Sequence, residues 1–227
     1  MFELPFVTLF GVGLAAAGHQ TLSRLAARVG FETVIADDRT RSDVVKWVAA
    51  GAMLAYVLGV EGRALSSIGL RAPDALPVVG SLTPVLDVLV WSGLGVVATW
   101  VTTVAVYALY TRLGLPLLES FEDELRDGGT ARYLFTVLSA GVVESLLYQG
   151  YLIERLTGLT GSVILAAGLS CVVFTAAHAA GETFSTAETV YIGVPAAVLT
   201  ALYVVSGSVY VACLTHVVVN TLSAVTE

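Results

Sequence analysis

Glu144, His178, His216 and Asn220 each sit inside or at the end of an apolar run in the second half of a 227-residue chain. An ionisable group at bilayer depth costs about 2.5–3.5 kcal/mol on insertion scales, so Glu144 is a functional candidate by default. Helical spacing gathers its neighbours. Glu144, Tyr148 and Tyr151 stand at i, i+4 and i+7 and share a face of an α-helix, while Ser145 and Gln149 share the adjacent one. Phe174 and His178 are four residues apart, as are His216 and Asn220, so the last two can converge on one point. The set is a carboxylate, two imidazoles and an amide, carried by three helices. Such groups transfer protons and donate hydrogen bonds, and a Glu with two His is also a known zinc ligand set. Taken singly, each is as readily a hydrogen bonder between packed helices.

The elements that must position these groups are apolar runs. Run one spans Leu4 to Ala17 and continues helix-like to Val29; run two spans Val44 to Val60; run three begins at Leu82-Thr83-Pro84 and reaches Tyr110. Runs four to seven are Tyr133–Ile153, Ser162–Ala179, Val190–Val205 and Val209–Ala224, with Pro195 placed to kink run six. Each is near the length that crosses a bilayer. His19 falls at the membrane edge of run one, and Phe31 to Asp43 reads as a solvated loop. Asp87, near the start of run three, reads as a wet edge position. Leu65 to Gly69 reads as an interfacial turn. Leu115 to Gly129 carries Leu117, Leu118, Phe121 and Leu125 on one stripe and its acidic residues mostly off it, the pattern of an amphipathic interfacial helix.

Composition agrees with a membrane protein: 56% of residues are hydrophobic and 13% charged, against roughly 25% charged in soluble domains. The N-terminal Met-Phe-Glu-Leu-Pro lacks the basic region and cleavage site of a signal peptide, so run one is expected to be retained. The net charge of −7 argues against nucleic-acid binding, which needs a basic face. An acidic chain with one lysine, Lys46, suggests a salt-rich cytoplasm of archaeal halophilic type. Cys171 and Cys213 read as small buried hydrophobes. The Lys/Arg tally is eight (24, 28, 39, 41, 46, 112, 126, 132) against three (63, 71, 155), which puts the first set inside and the N-terminus outside.

The order E…F-x-x-x-H…H-x-x-x-N resembles the CAAX-protease and bacteriocin-processing family, which includes the type II CAAX prenyl endopeptidases and the Abi-type intramembrane proteases. The motifs here are Glu144-Ser145-Leu146-Leu147-Tyr148-Gln149-Gly150, Phe174-Thr175-Ala176-Ala177-His178 and His216-Val217-Val218-Val219-Asn220. Each is weak alone; all three in order are fairly specific, over roughly Ala131 to Val225. The resemblance implies that Glu144 activates water, that His178 helps to hold that water, and that His216 and Asn220 stabilise an oxyanion. Donors preset at an oxyanion contribute about 2.7–4 kcal/mol each. It also implies a glutamate-activated water rather than a catalytic metal, so no cofactor is expected and zinc is disfavoured. The usual first motif is E-E-x-x-x-R-G, and this chain departs from it at Ser145 and Gln149. Losing both charges together avoids the cost of stranding one, about 3–5 kcal/mol, and hydrogen bonds of Ser145 and Gln149, to each other or to neighbouring helices, can replace the ion pair. The arginine's field on Glu144 is lost with it.

The sequence therefore predicts an all-α polytopic membrane bundle of about seven transmembrane helices with a four-helix catalytic core. Residues 1–129 form peripheral helices and the interfacial helix, and 130–227 form the core. Glu144, His178, His216 and Asn220 are the expected catalytic residues, supported by Ser145, Tyr148, Gln149 and Phe174. The expected function is an endopeptidase of the cell membrane, meeting lipid and a peptide or membrane-protein substrate. The alternative is a non-catalytic binding scaffold or immunity-type protein. A small transporter is disfavoured, because no inverted repeat or pair of broken helices is visible.

Overall fold

In a computed structural model, residues 3–77, 80, 82–115, 129–178 and 186–223 are described. The elements are α1 (Glu3–Arg28), α2 (Asp38–Gly59), α3 (Pro84–Leu113), α4 (Gly129–Leu138), a π-helix π1 (Ser139–Leu152), α5 (Ile153–Thr160), α6 (Val163–His178), α7 (Thr186–Ser206) and α8 (Val209–Ser223). α4, π1 and α5 follow one another without a break and form one rod, so the described residues make seven rods and no sheet. The fold is an all-α bundle of membrane type.

Local chemistry sets the ends of these helices. The Asp37 carboxylate accepts from Thr40 N at 2.7 Å and caps α2. Thr83 accepts from Leu86 N at 3.4 Å, Pro84 takes the first position of α3, and Gly114 closes that helix at φ 63°. The polarity of α3 is inverted relative to a soluble helix. Ser92, Gly95 and Thr99 face inward, where Ser92 Oγ donates to Val211 O and Thr215 Oγ1 to Ser92 O, both at 3.3 Å. Leu94, Val97, Trp100, Val101 and Val104 face outward and are exposed. Small polar residues between helices with apolar side chains outside is the arrangement lipid favours. Among the described residues, three helices, Asp38–Gly59, Pro84–Leu113 and Thr189–Ser206, are long and apolar enough to cross a membrane.

π1 runs through the middle of the bundle and is buried almost throughout. Two glycines let its neighbours close in. A Cβ on Gly141 would lie 2.4 Å from the Val217 side chain of α8, and one on Gly150 would lie 2.7 Å from Ile68 O. Around π1, Met53, Val57, Ile68, Val143, Tyr151 and Leu152 form the main apolar core.

Several local expectations change. Residues 38–43 are helical rather than loop, and Asp43 is buried, because it accepts from Thr136 Oγ1 at 2.6 Å. Asp87 is also buried, accepting from Leu82 N at 3.1 Å, so it caps the entry to α3. Arg155, counted among the loop cations, instead forms a buried pair with Glu61 at 2.6 Å. Tyr151 OH donates to the same Glu61 at 2.7 Å, and Arg155 Nη1 donates to Ser67 O at 2.9 Å. The proposed amphipathic helix lies almost wholly at 116–128, outside the described residues.

Candidate active site

π1 determines which side chains surround Glu144. A π-helix closes i→i+5 hydrogen bonds, so its turn is wider than that of an α-helix. Position i+4 stays near position i, whereas i+7 swings towards the opposite side. Tyr148 accordingly remains on the Glu144 side, while Tyr151 turns away to Glu61. The shared face expected for all three holds for the first two only.

Glu144 is buried and both of its carboxylate oxygens have partners. Oε1 lies 2.9 Å from Lys46 Nζ of α2, and Oε2 lies 3.4 Å from His178 Nε2 of α6. Lys46 Nζ is also 3.6 Å from Asp43. His178 Nδ1 is 2.8 Å from Phe174 O. A carbonyl only accepts, so Nδ1 carries the proton there and Nε2 faces Glu144. In neutral His178, Nε2 then offers a lone pair, which a water donating to both groups from the side would satisfy.

His216 comes from α8. Its Nδ1 is 3.3 Å from Ser145 Oγ. A hydroxyl donating to Nδ1 leaves the ring proton on Nε2, which makes His216 a hydrogen-bond donor at that atom. Phe174 fixes the rings between α6 and π1. Its ring is 4.4 Å from that of His178, 5.1 Å and edge-on to that of Tyr148, and 6.2 Å from that of His216. Asn220 lies one turn beyond His216, and its backbone carbonyl accepts from Tyr133 OH at 2.8 Å.

A cavity of about 310 Å³ is lined by Glu144, His178, His216 and Asn220 together with Lys46 and Phe174. Tyr191, Ile192, Pro195, Ala196 and Leu199 of α7 form its other wall, which is largely apolar. A second cavity of about 210 Å³ lies on the α1 side, lined by His19, Gln20, Ser42, Lys46, Glu144 and His178. The two share Lys46, Glu144 and His178. His19 is therefore not simply interfacial; its Nε2 lies 3.3 Å from Ser42 Oγ at the rim of this second space.

Two expectations about the degenerate motif are corrected in part. Of the two polar residues, Ser145 meets His216 of a neighbouring helix, as one of the alternatives had it, whereas Gln149 is fully buried with neither amide atom hydrogen-bonded. Glu144 does have a cationic neighbour, supplied by α2 and not by its own helix. Sequence reasoning missed Lys46 because it was counted among loop charges. The available signal was that the chain's one lysine stands three residues into an apolar run. Among the described residues, no group of three or more His, Cys, Asp or Glu side chains is arranged to hold a metal ion.

The described residues thus form a membrane-type helical bundle with a carboxylate, an ammonium and two imidazoles at one internal cavity. Residues 127–222, under half of the chain, match the family model described as type II CAAX prenyl endopeptidase Rce1-like. The match takes in α4 to α8, and so Glu144, His178, His216 and Asn220, but not Lys46. No curated protein and no solved structure gave a match.

Proposed function

We propose that this chain is a multi-pass endopeptidase of the cell membrane that hydrolyses a peptide bond at or near the membrane surface. The observation that supports this reading is the convergence of Glu144, His178, His216 and Asn220 on one cavity with an apolar far wall. In this mechanism a water donates one hydrogen bond to Glu144 and one to His178 Nε2, leaving a lone pair for the scissile carbonyl. Glu144 takes the proton as the C–O bond forms, and His216 Nε2–H and the Asn220 amide donate to the oxyanion. Glu144 then returns the proton to the leaving amine as the C–N bond breaks. The apolar wall of α7 accommodates an apolar substrate side chain, and no prenyl group is required by this chemistry. No metal takes part, since the ammonium of Lys46 already sits on Glu144 Oε1. Lipid and a peptide or membrane protein are the partners; nucleic acid is not.

A second reading is a non-catalytic scaffold that binds peptides in the same cavity. It is favoured by one feature: the buried Glu144 is already neutralised by the Lys46 ammonium on Oε1, an ion pair that needs no catalysis to explain it. The purified protein, reconstituted in liposomes and given a library of membrane-proximal peptides with and without C-terminal prenyl groups, separates the two. Cleavage products detected by mass spectrometry support the peptidase. Binding without any cleavage, retained in Glu144→Gln, supports the scaffold.

A further inference from the structure

We propose that Lys46 is a positioning residue: its ammonium holds the Glu144 carboxylate by Oε1 so that Oε2 is presented to His178 and the cavity. The site would then extend to α2, beyond the segment that matches the family. This inference rests on reading Glu144 as the base. Its geometry stands on its own. Lys46 Nζ is 2.9 Å from Glu144 Oε1, and the next acceptor, Asp43, is 3.6 Å away and buried. The residues flanking Lys46 are fixed to the same rod that carries Glu144. Asp43 accepts from Thr136 Oγ1 at 2.6 Å, and Trp47 Nε1 donates to Ser139 Oγ at 2.9 Å. The backbone that carries Lys46 is thus tied to that rod by Asp43, one turn before it, and by Trp47, the next residue. His178 meets the opposite carboxylate oxygen, and His19 stands across the second cavity. A carboxylate held by one oxygen cannot rotate about its last bond without losing the ammonium.

A purely structural neutraliser would leave kcat unchanged in a variant that still folds, and this separates the two roles. Lys46 is the chain's one lysine. Protein grown with isotope-labelled lysine therefore gives one side-chain NMR signal, which reports on this site without any need for activity. The signal is expected to shift in Glu144→Gln and to stay in place in Glu32→Gln, a change at an exposed residue. On a peptide that wild type cleaves, Lys46→Met should lower kcat by about 10²-fold, the scale of a displacement of about an ångström, with little change in KM. Lys46→Arg should recover most of that loss, and it serves as the folded variant if Lys46→Met does not fold. A lysine signal indifferent to Glu144→Gln overturns the proposal, as does a kcat unchanged in both Lys46 variants. If wild type cleaves no peptide, the peptidase reading fails separately, and the lysine signal alone decides whether Lys46 holds Glu144.

Discussion

Gln149 is fully buried, and neither its amide oxygen nor its amide nitrogen has a hydrogen-bond partner among the described residues. Leaving such a group unpaired costs about 1–3 kcal/mol. Gln149→Met is therefore expected to raise the thermal melting temperature in detergent, as read by a melting curve. Ser145, one helical turn earlier, has the opposite character. Its hydroxyl lies 3.3 Å from His216 Nδ1, and when it donates there the ring proton is left on Nε2. Ser145→Ala removes that constraint and should lower kcat with the melting temperature nearly preserved, whereas Ser145→Thr should retain activity if the methyl is accommodated. Asn220→Ala should cost about 10²–10³ in kcat if the amide donates to the oxyanion, measured on the same peptide. Glu144, His178, His216 and Asn220 were legible in the sequence because ionisable and amide groups are conspicuous in apolar runs. Lys46 was not. A single cation among loop arginines gives no sign of its direction, and its partner stands 98 positions later in the chain.

At the level of elements, the approach of α8 to π1 decides whether His216 reaches the cavity. A Cβ at Gly141 would meet Val217, next to His216, at 2.4 Å, and the Val217 backbone at 2.8 Å. The backbone cannot yield as a flexible side chain would. Gly141→Ala should destabilise by about 1–3 kcal/mol, as overpacking does, and should reduce activity by displacing His216. At the far end of the same rod, removing Arg155 leaves Glu61 buried without its cation, at about 3–5 kcal/mol. The double change Arg155→Met with Glu61→Gln should cost less than Arg155→Met alone, which a thermal double-mutant cycle measures. The start of α2 responds to pH. Asp37, hydrogen-bonded to Thr40 and beside Arg132, is held below the usual carboxylate range. A lowered folded-state value means that its contribution is full above the unfolded value, about 3.9, and fades as pH falls through the folded one. The melting difference between wild type and Asp37→Asn should therefore shrink as pH is lowered from neutral into that range. Helix positions followed from hydropathy runs and caps. The π winding did not, because an apolar run fixes neither the turn width nor the face that i+7 takes, and Tyr151 was misassigned for that reason.

At the scale of the whole molecule, successive rods alternate direction. The Asp37–Arg132 pair marks one end of the bundle, and Glu61–Arg155 with Arg71 Nε on Gly207 O marks the other. His178, at the last residue of α6, belongs to the Asp37 end, so the cavity lies nearer that side. Lys46 and Arg155 both leave the tally of loop charges, one from each side, and the bias keeps its sign. On the proposed topology that end faces the cytoplasm. A cysteine placed at Arg39 should then resist an impermeant thiol reagent in intact cells and react in inside-out vesicles. The bundle was legible as a whole because lipid imposes long apolar runs. The partners of buried charges were not, since pairs such as Glu61–Arg155 are set by packing between distant segments. The central claim is that Glu144 activates water for peptide hydrolysis. Its most direct test is kcat for wild type and Glu144→Gln on one peptide in the same liposomes, with melting curves showing both folded. An amide cannot take the proton, so the account predicts cleavage by wild type and a loss of at least about 10³-fold in Glu144→Gln, within the range that general-base catalysis and positioning together supply. Equal rates for the two proteins would contradict it.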